Sequence, residues 1–267
     1  MRIALMAAIA ILLGGAKPAP QPISLEPVAN WKVDYSTSSC VLTRQFVAGD
    51  QRYDFELTFT PIEKRARLRL GSPEKPGRFD SGDAAVEVDG VKLAEPTHFN
   101  VFASAKGGTT REFLFLQFGR DVGHTDRSLR LRPTRYGDFI LDVPDFPGAM
   151  RAMGSCMDDL YHTLGIDPAV LRSIAVNPEG RSMQFVRSPG REFDMQLLYW
   201  VTTDGKVDEC KVLKPSGIDE FDQRFCEELK ASGRFKPAKS TAGLPMRAPV
   251  FEDVSMRTKV QTSTSPL

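Results

Sequence analysis

The four cysteines of this chain, Cys40, Cys156, Cys210 and Cys226, limit its fold more than any other feature. They stand behind what reads as an export leader. Met1-Arg2 precedes an apolar run from Ile3 to Leu13, then Gly14-Gly15-Ala16 and Lys17-Pro18-Ala19-Pro20. One positive charge, a short apolar stretch and small residues describe a secretory signal peptide over residues 1–16, with cleavage expected after Ala16 and Ala19 as the second site. A spanning helix needs about 20 apolar residues, and Lys17 comes too early for one. The mature protein is therefore expected in a periplasm and not across a membrane; a retained leader would instead anchor it. In that compartment an even cysteine count reads as disulfides. No CxxC occurs, and no histidine stands at zinc-ligand spacing from a pair, so neither metal nor cofactor is expected.

The 267 residues allow one large or two ordinary domains. Their 35 Lys and Arg against 34 Asp and Glu give a net charge of +1, which argues against a nucleic-acid partner. After a Pro-rich lead (17–27), residues 28–172 read as a β-rich domain closed by one helix. Tyr53–Phe59, Lys64–Leu70 and Leu129–Arg132 alternate with period two. Val86–Leu93 reads as two strands around Asp89-Gly90, and Phe113–Phe118 as a central strand. Met157, Leu160, Tyr161 and Leu164 recur at helical spacing before Gly165. Trp31, Tyr35 and Phe46 are expected as core or lid aromatics.

Residues 173–260 read differently. Met195–Thr202 is an apolar β-favouring run, Asp204-Gly205 a hairpin turn, and Val207–Leu213 a second strand. Asp219 is placed to cap a helix with Phe221, Phe225 and Leu229 on its apolar side. A last strand covers about Arg247 to Met256, and 261–267 is a disordered tail. The fold class is α+β: a β-rich domain, then a small ββαβ unit. Of the three connectivities four cysteines allow, this division favours Cys40–Cys156 and Cys210–Cys226, each pair inside one domain. On the chain-entropy account the longer loop contributes about 4.7 kcal/mol and the shorter about 3 kcal/mol.

The landmarks Asp204-Gly205-Lys206-Val207, Ser216-Gly217, Phe221-Asp222, Arg234-Phe235-Lys236-Pro237-Ala238 and Gly243-Leu244-Pro245 follow one another in the second unit. In that order they resemble the C-terminal domain of TonB-family energy transducers. Phe221 stands where Leu is usual, Pro215 where a second Ser is common, and no Tyr-Pro precedes the first strand. Cys210 and Cys226 look like the cysteine pair of some members, joining second strand to helix. The resemblance implies a binding module, not an enzyme, that docks on outer-membrane TonB-dependent transporters by adding a partner strand to its edge. The edge it points to is Pro249, Val250, Phe251, Glu252, Asp253 and Val254. Pro249 lacks an N–H and suits an edge or a strand start; the same residues also suit a core strand with a protected edge. Force-transmitting members keep a membrane helix, whereas a cleaved leader makes this chain a soluble envelope protein.

Other constellations carry less. His98, His124 and His162 form no HExxH, and neither a GxSxG elbow nor a phosphate loop occurs at Gly71 or Gly107-Gly108. Cys156 and His162 are separated by about 240° on a helix. Asp158-Asp159, Asp208-Glu209 and Glu227-Glu228 are adjacent pairs whose members point apart. Arg65, Arg67 and Arg69 with Arg130 and Arg132 would make one basic face if their strands were neighbours, suited to peptidoglycan or another envelope polymer. The competing class is a periplasmic enzyme acting through the first domain, which needs His98 or His124 beside a carboxylate in a cleft.

Overall fold

The computed structural model describes residues 21–61, 66–75, 77–93, 97–103, 111–118, 127–180 and 192–256. Within them the leader, Arg65, His124 and the tail are not included. The first eleven strands are β1 (Ile23–Pro27), β2 (Lys32–Tyr35), β3 (Cys40–Ala48), β4 (Gln51–Phe59), β5 (Ala66–Ser72) and β6 (Asp80–Val88). β7 (Val91–Lys92), β8 (Thr97–Ala103), β9 (Arg111–Phe118), β10 (Ser128–Pro133) and β11 (Phe139–Asp142) complete the set. They form one sheet that closes on itself. β1 pairs in parallel with β11 through Ile23–Leu25 and antiparallel with β3 through Glu26 and Pro27, which joins both ends of a nine-stranded barrel. The second half of the Pro-rich lead is thus the closing strand and not a linker. β2 and β7 hang from β3 and β6 outside the ring.

Period-two alternation fills the barrel with side chains, as expected for a ring of this size. Leu42, Phe46, Tyr53, Phe55, Leu57, Phe99, Phe113, Phe115 and Phe139 are buried, with Phe113 and Phe139 rings 5.6 Å apart. Arg44 breaks the apolar row of β3. It sits between Leu42 and Phe46 in the alternation and reaches the gap where β1 and β2 part. Its Nε donates to Ala29 O at 2.7 Å and its Nη1 to Pro144 O at 2.9 Å, with the guanidinium 4.7 Å from the Trp31 ring. Trp31 Nε1 donates to the same Pro144 oxygen at 2.9 Å. Burial pulls the Arg44 pKa down, against the attraction of Asp145 and Asp142.

Helix α1 (Phe146–Leu164) lies across β2 and β3 and begins about three turns before Met157, where the helical spacing read from the sequence starts. Pro147 in the first turn is why: its missing N–H costs nothing there and its fixed φ suits a helix start. Phe146 packs 5.1 Å from Trp31, and the buried Cys40–Cys156 disulfide, Cα atoms 6.1 Å apart, fastens α1 to β3. Trp31 and Phe46 are therefore lid and core, whereas Tyr35 is exposed. Gly165 ends the helix at φ 71°, and Asp167 accepts from Ala169 N to start α2 (Pro168–Ser173).

The remaining elements are β12 (Ile174–Val176), β13 (Glu179–Gly180), β14 (Phe193–Val201), β15 (Val207–Lys214), α3 (Asp219–Ser232), β16 (Phe235–Lys236), β17 (Ala238–Ser240), β18 (Pro245–Met246) and β19 (Ala248–Met256). β14 is the centre of a three-stranded antiparallel sheet ordered β15-β14-β19. Phe193, Met195, Leu197, Tyr199 and Val201 face Phe221, Phe225 and Leu229 of α3. The opposite face joins the barrel, since Leu198 and Trp200 belong to the barrel's apolar cluster. Cys210–Cys226, Cα atoms 5.7 Å apart, ties β15 to α3. Asp219 does not cap α3; it is the first helical residue, with Ile218 at the cap position, and Ser216 supplies the local hydrogen bond by accepting from Ile218 N.

Candidate functional site

The sequence landmarks of the second unit meet in pairs. Gly205 has φ 80°, which favours glycine, and a Cβ there would lie 2.1 Å from Phe235 O. Phe235 N donates back to Gly205 O at 2.9 Å, and its ring lies 5.4 Å from that of Tyr199. The hairpin and the Arg234–Ala238 segment are thereby one packing unit. Asp204 accepts from Thr202 Oγ1 and ion-pairs with Lys206 at 3.0 Å, which lowers its pKa to about 2. Ser216 N donates to both carboxylate oxygens of Asp222, at 3.2 and 3.0 Å, and Asp222 is buried. Gly243, at φ 77°, turns the chain between β17 and β18.

This framework sets β19 beside β14 in an uninterrupted register, Trp200 opposite Pro249 through Phe193 opposite Met256. Alternation puts Val250, Glu252 and Val254 on the α3 side, and Pro249, Phe251 and Asp253 on the barrel side. Among the described residues β19 pairs with no strand besides β14. Glu252 Oε2 accepts from Tyr199 O–H at 2.8 Å. Burial raises the pKa of both groups, with the neighbouring Glu252 charge adding to the Tyr199 shift. Asp253 accepts from Gln196 Nε2 at 2.9 Å and ion-pairs with Arg67 of β5 at 3.2 Å. Gln196 Oε1 in turn accepts from Ser38 Oγ at 2.7 Å, so a polar chain runs from the barrel to the edge strand. Trp200 lies 5.1 Å from Lys211 and 5.4 Å from Arg247, whose guanidinium holds Asp208 and Glu209.

The other edge, β15, is differently furnished. Lys211 Nζ donates to Leu164 O at the end of α1, and the disulfide fixes Cys210 to α3. Lysines at 211 and 214 are common guards of an edge.

The single basic face is not formed. β5 and β10 are separated in the ring by β9, β8 and β6, so the arginine rows stand on different walls. Each described arginine of the set also pairs with a carboxylate, Glu87 serving two of them. Arg69 pairs with Glu56 and Glu112, Arg67 with Asp253, Arg130 with Asp138 and Glu87, and Arg132 with Glu87. Arg65 lies outside the described residues.

His98 Nδ1 is 3.4 Å from Asp83 Oδ1, but both side chains are largely exposed. His162 is exposed in the last turn of α1, and His124 lies outside the described residues. Among the described residues no three His, Cys, Asp or Glu side chains gather as metal ligands, and no helix is long and apolar enough to cross a membrane. Arg44 and the buried Glu112 are the polar groups that sequence reading missed. A charged residue on the inward row Cys40-Leu42-Arg44-Phe46 was the available signal.

No protein-family model matches the chain, and no curated protein matches it. Among solved structures it is similar to the solution NMR structure of the Pseudomonas aeruginosa TonB CTD, at 19% identity and a TM-score of 0.25. That likeness covers 31% of this chain and 88% of the other. At such a score the description of the fold rests on the register and packing above.

Proposed function

We propose that this chain is an exported, non-catalytic protein of the cell envelope whose C-terminal module receives an extended segment of a partner along β19. The carrying observation is that β19 uses its backbone toward β14 alone among the described residues; β15 is the other terminal strand, and its side chains Lys211 and Cys210 tie it to α1 and α3. An added strand takes its affinity from main-chain hydrogen bonds and its selectivity from alternate side chains, here Phe251 on one face and Val250 and Val254 on the other. The ordered landmarks from Asp204 to Pro245 favour an outer-membrane TonB-dependent transporter as the partner. The periplasm is the place such a partner requires, and two disulfides suit it.

The test uses the full mature chain and synthetic peptides from the periplasmic N-terminal segments of such transporters. Binding accompanied by slowed amide exchange across Val250–Val254 is the expected result. Absence of binding across a broad panel, or binding that leaves those amides unchanged, refutes the reading.

A further inference from the structure

The two disulfides are not equally placed. Cys40 is 0% and Cys156 1% exposed, both within the barrel's apolar cluster. Cys210 and Cys226 are only partly buried, at the margin of the second unit's core. Thiol–disulfide exchange needs a thiolate to reach a sulfur, so access decides which bond opens first, and the more exposed disulfide is the labile one.

Opening that bond leaves the fold its other ties. Phe221, Phe225 and Leu229 of α3 share one apolar cluster with Met195, Leu197 and Tyr199 of β14. β15 keeps its ladder to β14 and the Lys211 bond to Leu164 O. What is lost is the direct link between strand and helix, and that link lies in line with the β19 edge. Cys210 stands opposite Tyr199 on β14, and Tyr199 opposite Val250 on β19, so one row crosses the sheet on the face that α3 covers. Tyr199 O–H also donates to Glu252, the next residue of β19 on that face. Val250 and Val254 pack against the same cluster as Cys210 and Cys226. How closely α3 sits on this row therefore reaches the side chains behind the edge.

We propose that Cys210–Cys226 is a thiol-exchange site, opened by a dithiol while Cys40–Cys156 stays closed, and that its opening loosens the β19 edge. One thiolate of the dithiol attacks a sulfur of the pair, forming a mixed disulfide and releasing the other cysteine as a thiolate, which takes up a proton. The reagent's second thiolate then displaces the bound cysteine, so two electrons and two protons pass to Cys210 and Cys226 and the dithiol leaves as a disulfide. With α3 still packed, the two thiols remain neighbours and reoxidation closes the same bond. Control of partner binding rests on strand addition at β19; selective opening of the bond does not.

Graded dithiothreitol on the folded full chain, with iodoacetamide trapping and mass spectrometry, reads the order of opening. Cys210 and Cys226 are trapped at least about tenfold faster than Cys40 and Cys156. In the chain opened only at that pair, amide exchange quickens across α3 and Val250–Val254 and is unchanged in β3 and β4. Equal trapping of the four cysteines, earlier trapping of Cys40 and Cys156, or β19 exchange that ignores the opening overturns the proposal. Cys210→Ser with Cys226→Ser reproduces the exchange pattern of the opened chain; trapping and exchange on the parent need no variant, so they decide even if this one fails to fold. Where the oxidised chain binds a transporter peptide, the opened chain binds it more weakly, and equal affinity also overturns the proposal. Absence of peptide binding to the oxidised chain refutes strand addition alone, and trapping and exchange in the free chain still decide the exchange site.

Discussion

Arg44 is where the barrel's closure can be tested by a single side chain. The strand that closes the ring leaves β3 after Pro27 and rejoins it at Lys32, and Arg44 spans the gap to Ala29 O and Pro144 O. Arg44→Met keeps the apolar stem and removes both donors. Hydrogen bonds from a charged group contribute about 1.5–3 kcal/mol each, and the stacking on Trp31 about 0.5–1 kcal/mol. The guanidinium is only partly buried and regains its hydration on unfolding, so these figures must be discounted. A net loss of about 2–3 kcal/mol is expected, which for a chain of this size lowers Tm by about 5–10 °C. Pro144 O also accepts from Trp31, so either single variant leaves that oxygen satisfied, and the pair Arg44→Met with Trp31→Phe orphans it. The double variant should therefore lose more than the sum of the singles, by about 0.5 kcal/mol or more. Thermal and denaturant unfolding followed by near-ultraviolet circular dichroism measure all three. A single-variant Tm within about 1 °C of the parent, or strict additivity, would show that Arg44 does not hold the gap shut.

The remaining expectations concern the disulfides, the hairpin and the edge strand. Replacing Cys40 and Cys156 by Ala should cost more than replacing Cys210 and Cys226, about 4.7 against about 3 kcal/mol, because the first pair closes the longer loop; urea titration showing the reverse order contradicts this. Gly205→Ala should destabilise the second unit by well over about 1 kcal/mol, since it forces a Cβ onto Phe235 O at positive φ; a variant with unchanged Tm is the opposing result. Burial raises the Glu252 pKa, so the fold favours its neutral form, and the stability this gives is present at low pH and lost as pH rises through the raised value. Glu252→Gln, which still accepts from Tyr199 O–H, should gain Tm over the parent by an amount that grows from pH about 4 to 8; a pH-independent difference counts against the assignment.

What the sequence made legible is what local rules govern. The hairpin at Asp204-Gly205, the strands Tyr53–Phe59 and Leu129–Arg132 and the α3 face were readable because alternation and helical spacing act within a few residues. Barrel closure was not. It depends on Ile23–Leu25 pairing in parallel with Phe139–Leu141, a contact between chain ends that no local pattern announces, and it made a Pro-rich lead into a strand. The arginine rows were visible as rows, but their positions around the ring follow from strand order, which alternation leaves open. The start of α1 was hidden because Phe146-Pro147-Gly148 looks like a break, although proline in the first turn permits a helix. At the candidate edge the sequence supplied the strand, and the register supplied what Asp253 and Glu252 touch.

The barrel also bears on why a strand-adding edge could work in so small a sheet. Three strands and one helix are marginal by themselves, and a soft edge would lose much of its binding energy to ordering on contact with a partner. Here both faces of the sheet are packed. Phe221, Phe225 and Leu229 cover one, and the barrel cluster takes in Leu198 and Trp200 from the other. The Ser38–Gln196–Asp253–Arg67 chain then holds β19 to the barrel from the side. With both faces packed, the backbone edge is the surface that the proposed partner would use. An edge held from behind in this way is ordered before any partner arrives, so the ordering cost falls on the incoming segment. Loosening the barrel side, for instance with Ser38→Ala and Arg67→Ala together, should therefore weaken peptide binding at β19 through slower association and faster exchange of its amides, without touching a residue of the strand itself.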